Sequence, residues 1–83
     1  MPEVLLSERA RRELLRLARP YLAAVEAGID RLAQDPLEGK GLRGDLGGLR
    51  SLRIGSYRIV YAFDARRGRV EIVWIRHRRE AYR

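Results

Sequence analysis

The residues whose types and spacing could do chemistry here are arginines in the C-terminal part of the chain: Arg53, Arg58, Arg76, Arg78 and Arg79, with Arg50 close to the first. Arg53 falls on one expected strand and Arg58 on the next. Arg76 ends a third strand, and Arg78 and Arg79 follow it. In an antiparallel meander, strands about 5 Å apart bring residues distant in sequence side by side. Several guanidinium groups can then surround one phosphate, each donating paired hydrogen bonds that match phosphate oxygens. Such a cluster suits a phosphodiester transition state, in which negative charge builds on the non-bridging oxygens. Taken singly, each arginine reads as a solvated strand or edge residue. Gathered together they repel one another, and the gathering needs a reason.

Two further side chains lie near the cluster in sequence. Tyr82 reads either as an anchor that docks the tail or as a group that stacks on a base or hydrogen-bonds a phosphate. His77 reads either as a proton donor or acceptor near neutral pH or as a surface histidine at a strand end, the second being preferred. It is the only histidine, which rules out a two-histidine ribonuclease site within one chain. The carboxylates are scattered and form no HExxH or EF-hand pattern, so neither a metal site nor a cofactor is expected. Ser7, Ser51 and Ser56 lack the setting of an activated serine nucleophile. The five glycines of residues 36–48 have no Gly-Lys-Ser/Thr ending and no strand just before them, so this stretch reads as a loop and not as a phosphate cradle.

With no cysteine, disulfides, thiolate metal sites and a cysteine nucleophile are excluded together, and a reducing cytoplasm fits. The short apolar run near the start soon turns charged. Neither a signal peptide nor a membrane span is expected, and no membrane partner. The 83 residues allow one domain, 1–83, whose small core favours a shallow surface site over a deep pocket.

The net charge of +7 is unevenly placed. Residues 1–48 hold eight basic and eight acidic residues. Residues 49–83 hold ten arginines against Asp64, Glu71 and Glu80. An excess confined to one half is the electrostatic footprint of a polyanion binder. A preference for arginine codons explains seventeen arginines against the single Lys40. It does not explain why acids are sparse in one half.

The elements that must position these arginines follow from local pattern. Residues 3–6 suit a short strand. Ser7 is a good N-cap, and Ala10, Leu14, Leu17 and Ala18 recur at helical spacing, which predicts a helix over 8–18. Pro20 belongs in a first helical turn, so a second helix starts there, with Leu22, Val25, Ile29 and Leu32 on one stripe and a stop at Asp35-Pro36. From Leu49 the period becomes two. Strands are expected over 49–54, 57–64 and 69–76, with turns at Gly55-Ser56 and 65–68 and a charged tail over 77–83. Tyr57, Ile59, Tyr61 and Phe63 share one expected face. Val70, Ile72 and Trp74 share one face of the last strand, and Glu71, Val73 and Ile75 the other. Tyr57, Tyr61 and Trp74 are expected in the core. The fold class is α+β: a short N-terminal strand, an αα-hairpin, then a three-stranded antiparallel meander with the helices on one face.

Three blocks in order carry a resemblance: Leu42-Arg43-Gly44-Asp45-Leu46, then Leu52-Arg53-Ile54-Gly55-Ser56-Tyr57-Arg58-Ile59-Val60-Tyr61, then Ile75-Arg76-His77-Arg78-Arg79-Glu80-Ala81-Tyr82-Arg83. Together they resemble the RelE branch of the RelE/ParE toxins. The resemblance implies a cytoplasmic type II toxin that enters the ribosomal A site and cuts mRNA without a metal, the ribose 2′-oxygen attacking the adjacent phosphate. It implies an antitoxin, the ribosome and mRNA as partners. Carried over, Arg58 stabilises the transition-state phosphate and Arg53 occupies the position linked to activating the 2′-hydroxyl. Arg78 supports the leaving oxygen, and Tyr82 orients or stacks on the substrate. Arg50, Arg76, His77 and Arg79 are secondary substrate-binding candidates. An arginine has a pKa above about 12 and is a poor literal base, so Arg53 is expected to act electrostatically. The sequence departs from the family at Ser51, where many relatives carry a second basic residue, and in its short tail. ParE-like inhibition of DNA gyrase and RNA binding without cleavage are the alternative functions.

Overall fold

The structure is a computed structural model and describes residues 2–81. Its elements are β1 (Glu3–Leu6), α1 (Glu8–Leu15), α2 (Arg19–Gln34), β2 (Lys40–Gly41), a 3-10 turn (Gly44–Leu46), β3 (Arg50–Ile54), β4 (Tyr57–Asp64), β5 (Arg69–His77) and α3 (Arg78–Ala81). The five strands form one mixed sheet in the order β1-β5-β4-β3-β2, with β1 parallel to β5 and the other pairs antiparallel.

Ser7 caps α1 as its residue type suggests: the hydroxyl accepts the Ala10 N–H at 3.0 Å and donates to the Val73 carbonyl at 2.7 Å. α1 is shorter than the expected 8–18. Its end tightens, with Arg16 and Leu17 donating to the carbonyls three residues back. Pro20 lacks an N–H and would collide with the preceding turn of a continuous helix, so α2 begins afresh with the proline in its first turn. α2 buries Val25, Gly28 and Leu32. It packs closely because Gly28 has no Cβ; one there would lie 2.7 Å from Ile54 Cδ1.

The stretch 36–48 is not wholly loop. Lys40 and Gly41 pair with Ser51 and Arg50 and add an edge strand. Tyr61, wholly buried, holds the approach to it: its hydroxyl accepts the Gly39 N–H at 2.9 Å and donates to the Pro36 carbonyl at 2.8 Å. The expected charged tail is corrected too. His77 closes β5, and residues 78–81 make a helical turn.

Strict alternation fails in β5. Val60 pairs with Trp74 but Tyr61 pairs with Ile72, so Val73 is an extra residue and the ladder carries a bulge. The expected grouping of Val70, Ile72 and Trp74 is therefore wrong. Ile75 joins Val70 and Ile72 in the core, packed with Leu52, Ile59 and Tyr61 beneath the helices. Trp74 moves to the other face beside Arg76 and is only half-buried, so it is not a core residue.

Candidate active site

The hairpin register puts Arg53 directly opposite Arg58, and Arg58 directly opposite Arg76. One row across β3, β4 and β5 thus carries three arginines on the helix-free face. Directly opposed residues in an antiparallel ladder stand about 4.5–5.5 Å apart at Cα, and like charges so placed are destabilising. The bulge at Val73 creates this row. Without it, Arg76 would lie under the helices with Ile75 facing outward.

The second part of the site comes from α3. Arg78 donates its backbone N–H to the Ser56 carbonyl at 2.6 Å, and Arg79 donates its N–H to His77 Nδ1 at 3.2 Å. α3 is thereby fastened to the β3–β4 turn. Gly55 shapes that turn with φ +59, a left-handed conformation that suits glycine, and its carbonyl accepts from Arg53 Nε at 3.3 Å. The result is an open cleft of about 380 Å³ lined by Arg53, Gly55, Tyr57, Arg58, Arg78 and Arg79. Four arginines lining one shallow cleft supply the guanidinium groups to bind a phosphodiester and stabilise added charge on it.

The other candidates lie elsewhere. Arg76 adjoins the cleft through Arg58 and leans on Trp74, its guanidinium carbon 5.7 Å from the ring centroid. Arg50 stands on the opposite face and binds the carbonyls of Leu37 and Gly39 at 3.1 and 2.6 Å, bracing the loop before β2. His77 also faces the helix side. Its ring meets Tyr57 edge-on at 5.3 Å, and it lines a separate groove with Glu13, Arg16 and Leu17. Tyr82 lies outside the described residues. Among the described residues no group of three or more histidine or carboxylate side chains could hold a metal ion. Tyr57 and Gly55 line the cleft and the Ser56 carbonyl anchors α3, parts that sequence reasoning missed. The turn was legible, but nothing in residue type announces that a backbone carbonyl will anchor a distant helix.

A family model described as the ParE toxin of the type II toxin–antitoxin system parDE matches residues 4–82. The toxin RelE of Mycobacterium tuberculosis is 45% identical over 82 residues, covering 96% of this chain and 84% of the relative. The toxin RelG of the same organism is 42% identical over 76 residues, covering 89% and 87%. The crystal structure of the toxin–antitoxin complex RelBE2 from M. tuberculosis superposes with a TM-score of 0.86 at 38% identity, covering 93% of this chain and 99% of that one. The isolated E. coli RelE toxin superposes at 0.81 with 19% identity, covering 99% and 96%, and shows the same fold.

Proposed function

The chain belongs to the RelE/ParE family of type II toxin–antitoxin toxins, and from that premise we propose that it is a ribosome-dependent mRNA endonuclease acting as a single toxin domain. The observation that carries this reading is the convergence of Arg53, Arg58, Arg78 and Arg79 on one cleft.

In the proposed reaction the ribose 2′-oxygen attacks the adjacent phosphorus. A 2′-O–P bond forms, the P–O5′ bond breaks, and the products are a 2′,3′-cyclic phosphate and a 5′-hydroxyl. The 2′-hydroxyl proton passes to solvent water and the departing 5′-oxygen takes one from solvent water, so protons balance. Arg58, central in the arginine row, meets the charge that builds on the non-bridging oxygens. Arg53 favours the ionised 2′-oxygen by its field. Arg78 stands over the leaving oxygen, and Arg79 adds a second contact to the backbone. Tyr82 orients or stacks on the substrate. Charge on the phosphate is met by guanidinium groups, so the scheme needs no metal or cofactor. The ribosome and its message are the target, which places the action in the cytoplasm. Among the described residues no helix is long and apolar enough to cross a membrane.

The neutralising partner is an antitoxin. Structures similar to this one include toxin–antitoxin complexes, and a basic toxin face calls for an acidic segment. The second reading, non-enzymatic inhibition of DNA gyrase, is favoured by the ParE description of the matching family model. Mapping mRNA 5′ ends after induction separates the two. Cuts within codons of translated messages support the endonuclease. Intact messages with a DNA-damage response support the gyrase inhibitor, and intact messages without one leave an RNA-binding module.

A further inference from the structure

Between residues 8 and 19 the chain carries Arg9, Arg11, Arg12, Arg16 and Arg19 against Glu8 and Glu13. Counting the N-terminal half as neutral hides this local excess. Arg9, Arg12 and Arg16 are spaced three and four apart, so they share one stripe of α1, and all three are exposed. α1 runs along the edge of β5 just past the end of β1, and Glu13 seats it there. Its Oε1 accepts the Ile75 N–H at 2.9 Å, while its Oε2 stands 3.6 Å from Arg9 Nε and 4.0 Å from Arg76 Nε. The same two arginines flank Trp74: the guanidinium carbon of Arg9 is 5.3 Å from the ring centroid and that of Arg76 is 5.7 Å. Trp74 occupies the helix-free face one row along from Arg58 and Arg76.

The positive surface therefore continues beyond the cleft. It passes from Arg58 to its cross-strand neighbour Arg76, across the indole of Trp74 to Arg9, and on along α1. We propose that this track is a second subsite, for the backbone of single-stranded RNA flanking the scissile phosphate. The inference rests on the RNA reading of the cleft and extends it. Successive phosphates suit guanidinium groups set along an arc, and a base can extend the stack on the guanidinium planes that Arg9 and Arg76 lay over the indole. A carboxylate-rich protein segment would answer the charge but would not bring a base-sized plane to the stack. Duplex DNA presents its bases already stacked.

Trp74 is the only tryptophan, so its emission reports on the track directly. The probes are 2′-O-methyl oligouridylates of about 4 and about 12 nucleotides, a range spanning one short and one extended site. They lack the 2′-nucleophile, so binding is read apart from cleavage. The longer probe should bind about tenfold more tightly than the shorter and change Trp74 emission saturably, with a salt dependence steeper by about 0.7 per added phosphate contact. The double variant Arg9→Gln/Arg12→Gln should lose that tenfold gain and about 1.4 of the salt slope, stay folded with a melt lowered only by loss of the exposed Arg9–Glu13 pair and the indole contact, and bind the short probe as before. Arg66→Gln/Arg67→Gln, at the β4–β5 turn, should keep the gain. The track is overturned if the long probe gains nothing over the short, if both double variants lose equally, or if saturation by anisotropy leaves Trp74 emission unchanged. Tighter binding of a DNA duplex or a polyglutamate peptide than of the long probe likewise overturns the RNA assignment. Failure of both probes to bind also overturns the track, while the ribosome-dependent reading of the cleft is judged separately by the 5′-end mapping.

Discussion

Arg78 donates its backbone N–H to the Ser56 carbonyl across 2.6 Å, and through that bond the last helical turn sits on the tip of the β3–β4 hairpin. Two arginines from the end of the chain thus meet two from the hairpin. Gly55, next to the accepting Ser56, shapes that tip with φ +59.

Gly55→Ala forces a Cβ into the left-handed region, at about 1–2 kcal/mol, which lowers the melting temperature of a domain this size by roughly 4–8 °C per kcal/mol. The cleavage rate should fall as well, because the carbonyl that anchors α3 shifts. Thermal melts and single-turnover cleavage on the same preparation check both. Full rate in a destabilised variant would detach the hairpin tip from the chemistry.

The contrast between what residue pattern showed and what it hid is clearest in β5. Helices, hairpin and turn were legible because capping, proline placement and a two-residue glycine turn are local signals. The bulge at Val73 was not, because residues 72–75 are all apolar, so alternation from Val70 runs on without a visible break and only the partner strand fixes where the register slips. That single slip turns Trp74 outward and brings Arg76 opposite Arg58. β2 escaped notice for a similar reason. A two-residue edge strand rich in glycine has no periodicity, and it pairs because Tyr61 and Arg50 hold the loop beside β3. The gathering of Arg53, Arg58, Arg78 and Arg79 was readable in outline, whereas Arg50 and His77 face away for reasons of strand parity and bulge.

Tyr61→Phe tests stability apart from function. It removes the acceptor for the Gly39 N–H and the donor to the Pro36 carbonyl, costing about 1–3 kcal/mol. Tyr61 lies beneath the helices, on the face away from the cleft, so the single-turnover rate of the folded variant should match that of the unaltered protein. Denaturant unfolding and cleavage at a temperature well below the transition give the two numbers.

An antitoxin should stabilise the toxin by mass action. At a free concentration 100 times its Kd, a partner that binds only the folded state adds about 2.7 kcal/mol. Mixing with the cognate acidic protein should therefore raise the melting temperature, and the shift should shrink as salt is added. No shift at micromolar concentrations would count against this chain having such a partner.

The central claim is that Arg58 holds the charge of the transition state and does not merely add to a positive surface. Single-turnover cleavage on programmed ribosomes, with toxin saturating, tests it most directly. Arg58→Ala should cut the rate by about 10²–10³ with ribosome binding nearly intact, and Arg58→Lys should recover only part, since an ammonium cannot make the paired contact. Arg66→Ala, which removes the same charge from an exposed turn residue at the other end of β4, should leave the bound rate unchanged. Equal losses for Arg58→Ala and Arg66→Ala would contradict the account.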